Sequence, residues 1–121
     1  MKPAKAVRFR LSEQKKVSGS PLGFHRGVPG EGCNFLRAEL QAGFVFPMHT
    51  HPNEQFTYVL SGQIRICFED GSNPIELSDG EIIHIPGNIA HDLTVLKDTV
   101  QIEIFAPARN NLVDQMAMPQ R

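Results

Sequence analysis

From Asn34 onward the chain consists of short runs in which apolar and polar residues alternate, each closed by Gly, Pro, Asn or Asp. A period of two marks half-buried β-strands, and their even spacing marks an all-β sandwich or barrel. Strands are expected at 35–40, 44–46, 55–60, 63–69, 74–77, 81–85, 91–96 and 99–105. Ser61-Gly62 is read as a turn, and Asp70-Gly71 gives a strong hairpin signal. Ala6 to Phe9 offers a further short strand, for roughly nine in all. Two stretches of the first 32 residues, Ser18 to Gly23 and Gly27 to Gly32, are rich in turn residues and read as loops. Helix is nearly absent: only 111–118 fits a short terminal helix, or equally an extended tail laid on a partner subunit. The organisation expected is one domain, with an N-terminal arm over 1–32, a barrel over 33–110 and a tail over 111–121.

Parity says which side chains meet. If Gln55 points inward, Thr57 and Val59 share its face, while Phe56, Tyr58 and Leu60 share the other. Both faces are largely apolar, which fits a strand covered by a lumen on one side and by a second sheet or subunit on the other.

Composition narrows the partners. A chain of 121 residues suits a single core. Twelve basic against 13 acidic residues leave a net charge of −1, which gives no bulk attraction to nucleic acid or anionic membrane. The N-terminal Met-Lys-Pro-Ala-Lys-Ala lacks the apolar run of a secretory signal, and no stretch approaches the ~20 apolar residues of a spanning helix. A cytoplasmic protein is expected. Cys33 and Cys67 are too few for a disulfide framework and are read as reduced, structural thiols.

The chemistry concentrates in Gly43 to Gly62. His49 and His51 project from one face of an extended segment and can supply half of a four-ligand metal site. Gln55 is the candidate third ligand by strand parity. His91, far along the chain, is the candidate fourth. Three imidazoles and an amide bring no charge, so one divalent ion per subunit would keep its full charge for an anionic substrate. Ni, Mn, Fe and Zn all suit this ligand set. Elsewhere, Glu103 lies between two isoleucines and shares a strand face with Phe105, and Arg109 follows a proline-marked bend. Glu103 reads either as an exposed edge carboxylate or as a pocket residue. His25 reads as exposed and unliganded, His84 as packed or at an interface, and Arg37 as either lumenal or solvated.

Together, G-x5-H-x-H-x3-Q-x6-G and G-x5-P-x-N-x2-H resemble the two signature motifs of the cupin superfamily, which implies the double-stranded β-helix, or jelly-roll barrel. Gln55 replaces the usual family glutamate. Asn88 stands where glycine is usual, a tolerable change because Asn accepts positive φ more readily than other side chains. The runs His49 to Gly62, Ile83 to His91 and Ile104 to Arg109 further resemble the cupins of pectin and alginate degradation that open the ring of 4,5-unsaturated monouronates. That resemblance implies His49, His51, Gln55 and His91 as metal ligands, and Glu103, Phe105 and Arg109 as catalytic residues. It also implies a homodimer. Departures include glutamate at 103, where aspartate is usual, and Asn53 in place of a histidine. A metal-dependent dioxygenase and a non-catalytic binding module remain the alternatives.

Overall fold

The computed structural model describes residues 5–109. Among them a single turn of 3-10 helix, Leu11–Glu13, precedes eight strands: β1 (Val17–Ser20), β2 (Gly23–Pro29), β3 (Asn34–Leu40), β4 (Val45–His49), β5 (Glu54–Ile66), β6 (Ile75–Ser78), β7 (Ile82–Ile85) and β8 (His91–Ala106). All pairings are antiparallel, in the order β1-β2-β3-β8-β5-β6, with β4 on β8 and β7 on β5.

The two long strands form the spine. β5 and β8 pair with each other from Glu54↔Ala106 to Arg65↔Thr94. Each also takes two partners in succession on its other edge: β7 then β6 for β5, and β4 then β3 for β8. The spine cannot be straight. The His51 ring lies 5.2 Å from that of His91 and 5.6 Å from that of Phe105, although an extended strand would part residues 91 and 105 by roughly 46 Å. β8 therefore curls around a lumen. The register shifts that permit this lie between Val59 and Ile64, around Gly62 at φ +116°. Bulges of this kind bend a strand and raise its twist.

Several sequence expectations are corrected. Ser61-Gly62 is a bulge inside one continuous strand rather than a turn, and 91–96 and 99–105 are one strand. Ala6 to Phe9 forms no strand; its apolar residues Val7 and Phe9 stay exposed, because alternation without a partner edge forms no ladder. Conversely, the turn-rich residues 17–20 and 23–29 are a hairpin that continues the sheet. Gly23 is needed there, since a Cβ would come within 2.6 Å of Leu40 Cδ2 and 2.9 Å of the Glu39 carbonyl. The Asp70-Gly71 signal holds: Gly71, at φ +79°, donates to the Phe68 carbonyl in the connection from β5 to β6. Both cysteines are free. The helix-or-tail alternative for 111–118 falls outside the described residues.

Directly paired residues share a face, so the register sorts the lumen into rows. One row is His25–Ala38–Gln101–Val59, the next Gly27–Leu36–Glu103–Thr57–Ile83, the next Asn34–Phe105–Gln55–Ile85. The expected parity of β5 is met: Gln55, Thr57 and Val59 are buried, while Phe56 and Leu60 are exposed. The apolar core comprises Ala38, Leu40, Val59, Ile64, Ile66, Leu77, Ile83, Ile85 and Val95, backed by Phe44, Phe68 and Leu93. Each large side chain so buried contributes about 1.5–3 kcal/mol.

Candidate metal centre

His49 ends β4 and pairs with His91 at the start of β8, and His51 follows in the loop before β5. Their ring nitrogens converge, with one ligand atom from each lying within 4.8 Å of the others. These three histidines could hold a metal ion. Each ring is fixed in the same way. His49 Nδ1 lies 2.8 Å from the Pro47 carbonyl, His51 Nδ1 2.9 Å from that of Asn53, and His91 Nδ1 2.7 Å from that of Ile89. A carbonyl only accepts, so each Nδ1 carries the hydrogen and each Nε2 presents a lone pair. Partners of this kind fix the tautomer and orientation of metal-binding imidazoles.

Gln55 Oε1 stands 2.9 Å from His51 Nε2. The amide is held in this sense by its N–H, which donates to Thr57 Oγ1 at 3.1 Å, while that hydroxyl donates to Glu103 Oε2 at 3.4 Å. Two acceptors therefore face each other, an arrangement that needs a proton or a metal ion between them. Burial first, then the Arg109 charge, lowers the His51 pKa, which disfavours the proton. Burial lowers that of His91 too, followed by the charges of its two histidine neighbours and Arg109. Neutral imidazoles are the form that binds metal. His91 Nε2 is buried with no partner within the protein, so the donor set fits a divalent ion.

The loop that carries His91 braces His51. Asn88, at φ +66°, donates its backbone N–H to the His51 carbonyl at 2.8 Å. Asparagine thus adopts the positive φ for which its residue type suits it. Beside it, a Cβ on Gly87 would collide with the Pro52 carbonyl.

A cavity of about 300 Å³ opens beside His49, Gln55 and His91, within the usual range for small-molecule sites. Glu103, Phe105 and Arg109 line it with His49, Gln55 and His91, so Glu103 faces the lumen and is not an exposed edge carboxylate. Burial pushes the Glu103 carboxyl above its ordinary value, opposed by Arg109, Thr57 and Gln101. The Arg109 guanidinium lies 5.0 Å from the Phe105 ring centre. Two contacts hold its segment: Arg109 N–H donates to Asn34 Oδ1 at 3.0 Å, and Asn53 Nδ2 donates to the Pro107 carbonyl at 2.5 Å.

More than half of the chain, residues 36–106, matches the cupin domain family. The chain is a cupin. No curated protein sequence matches it at a significant level. Among solved structures, this cupin is similar to KdgF from Halomonas sp., with TM-score 0.76 and 21% identity over 86% of this chain and 97% of that one. It is also similar to an RmlC-like cupin from Shewanella frigidimarina, with TM-score 0.78 and 18% identity over 91% and 97% of the two chains. Oxalate decarboxylase from Bacillus subtilis matches with TM-score 0.77 and 17% identity over 88% of this chain and 31% of its own. At these identities the likeness establishes the jelly-roll fold alone.

Three further residues of this cupin are placed by the structure, one of them against expectation. His25 is half-buried and lines the cavity rather than standing exposed. Arg37, next to lumenal Leu36 and Ala38, takes the outer face and pairs with Glu39 at 2.7 Å. His84 is also outside, 2.8 Å from Glu54 and against the Phe56 ring. The roles of Thr57 and Gln101 were not seen in the sequence, although both sit two residues from candidate site residues and share their parity.

Proposed function

We propose that this cupin is a cytoplasmic, metal-dependent enzyme that opens the ring of 4,5-unsaturated monouronates to linear keto-uronates. His49, His51, Gln55 and His91 hold one divalent ion. The observation that carries the reading is that Glu103 and Arg109 share one cavity with Gln55 and with His49 and His91, whose imidazoles converge with that of His51, and that Thr57 links Glu103 to Gln55. The resemblance of 49–62, 83–91 and 104–109 to the ring-opening cupins supplies the substrate. Mn is among the candidate metals, as the oxalate decarboxylase neighbour is described with Mn(II) centres; Ni, Fe and Zn also suit the ligands.

Ring opening removes the proton of the anomeric hydroxyl, converts C1 to an aldehyde as its bond to the ring oxygen breaks, and delivers a proton to C4 of the resulting enol. When bound, the ion supplies Lewis acidity at the oxygen where negative charge develops. Arg109 grips the uronate carboxylate with its two-pronged donor array. Glu103 takes the hydroxyl proton and returns it at C4; its raised pKa brings it closer to the working pH that such exchange needs. Phe105 walls the pocket against water and supports the guanidinium.

The test follows the enol-ether absorbance of a 4,5-unsaturated galacturonate monomer mixed with Ni- or Mn-loaded protein. Metal-dependent loss of absorbance, abolished by chelation and by Glu103→Gln, is expected. No acceleration over buffer would discard the substrate. Oxygen uptake with small chelating acids tests the dioxygenase alternative, and binding without turnover in both assays would mark a binding module.

A further inference from the structure

Besides His91 Nε2, two polar atoms of the cavity wall have no partner within the protein: Gln101 Oε1 and His25 Nε2. They belong to one cross-strand row. His25 pairs with Ala38 and Ala38 with Gln101, so all three side chains leave on the lumen face, with roughly 10 Å, two strand spacings, between the outer backbones. Ala38 is only a methyl group. The two long side chains therefore flank a niche in the cavity wall.

A hydrogen bond orients one flank, and the tautomer of an imidazole sets the other. Gln101 is only 1% exposed, and its amide N–H serves the Glu103 carboxylate, which leaves Oε1 as an acceptor. Burial, then the Arg109 charge, lowers the His25 pKa, which favours the neutral ring, and in its Nε2–H tautomer that ring donates into the niche. An acceptor facing a donor across a gap calls for a group that both donates and accepts. A carboxylate oxygen would meet the Gln101 carbonyl and Glu103 unfavourably. An ammonium could not accept from the Nε2–H tautomer of His25 and would lie near Arg109. A hydroxyl satisfies both sides.

We infer that the niche over Ala38 is a hydroxyl subsite, in which a substrate hydroxyl donates to Gln101 Oε1 and accepts from His25 Nε2–H. It makes the cavity selective for hydroxylated sugar acids over simple carboxylates. The inference rests on the proposed function for the placement of the substrate carboxylate at Arg109. Sites built to hydrogen-bond a hydroxyl discriminate strongly against analogues that lack it, because the buried partners are left unpaired.

The experiment is calorimetric binding of saturated galacturonate and of tetrahydropyran-2-carboxylate, which keeps the ring and the charge but lacks the hydroxyls, to the full-length Zn-loaded protein. Wild type is expected to prefer galacturonate by about tenfold or more. Gln101→Met and His25→Leu are each expected to lose most of that preference while binding the deoxy acid as wild type does. Two variants on different strands guard against one that fails to fold. Equal wild-type affinities, no binding of either acid, or full preference retained by a folded variant would overturn the subsite. Preference for galacturonate without turnover of the unsaturated monomer would instead discard the ring-opening reaction and leave the subsite standing.

Discussion

Thr57 has one hydroxyl and two demands on it: it accepts from Gln55 Nε2 and donates to Glu103 Oε2. Removing the hydroxyl frees the amide to turn, so that its NH2 group can face the imidazole lone pairs. Thr57→Val is therefore expected to weaken Zn or Ni binding by about 10–100-fold, the usual cost of losing a partner that orients a ligand, and Thr57→Ser to restore it; competition with a chromophoric chelator reads both. Glu103 makes a second prediction, for chelated protein. Its folded pKa is raised by burial, so its contribution to stability is full below its ordinary value of 4.5 and is lost as pH rises through the folded value. Glu103→Gln removes that loss. The melting temperature of the variant relative to wild type is expected to climb with pH above 4.5, and a constant difference would contradict the assignment. The three converging histidines were legible, His49 and His51 by their spacing on one strand face and His91 by the second motif that resembles the cupin signature. Gln101 and His25 were not: a polar residue on an alternating strand reads the same whether its partner is water or a cavity, and only the β2–β3–β8 register joins these two.

The bent spine depends on Gly62, where β5 changes register against β8. At φ +116°, a Cβ there would run into the Thr99 hydroxyl and the Asp98 carbonyl, 2.5 Å away. Gly43 is the control, since it also has positive φ, +97°, but a Cβ would meet nothing within 4 Å. Gly43→Ala carries backbone strain alone, about 1–3 kcal/mol, whereas Gly62→Ala adds the steric clash and must open the β5–β8 ladder. Urea unfolding is expected to rank Gly62→Ala clearly below Gly43→Ala. Metal affinity should fall only in Gly62→Ala, because the curl of β8 is what returns His91 to His51. Strand positions from 34 to 105 were legible in the period-two pattern. The continuity of β5 and β8 was not, since Ser61-Gly62 carries the same local signal in a turn and in a bulge. The β1–β2 hairpin was hidden for a related reason: its Gly23 allows close approach to β3, and that need arises from tertiary contact rather than local sequence.

For the whole molecule, the lumen that gathers the three histidines accounts for one side of the central strands and leaves the other open. Register carries Phe35, Ile104 and Phe56 across β3, β8 and β5 in one row, with Ile102, Tyr58 and Ile82 in the next. Phe35, Phe56, Ile82 and Ile104 are 36–58% exposed. A contiguous apolar stripe four strands wide marks an interaction face rather than ordinary scatter. The homodimer implied by the cupin resemblance is the occupant we propose, and such an interface would be isologous, so one substitution acts twice across the two-fold axis. Phe56→Asp would bring two carboxylates into the apolar centre while leaving the cavity untouched, because Phe56 points away from Gln55 and Thr57. Light scattering is expected to give twice the 13.5 kDa chain mass for wild type and the single mass for the variant. Metal affinity should stay at the wild-type value, since every candidate ligand comes from one chain. A monomeric wild type at micromolar concentration would remove the dimer, and loss of metal by the monomeric variant would show that the partner helps to hold the β4–β8 pairing that joins His49 to His91.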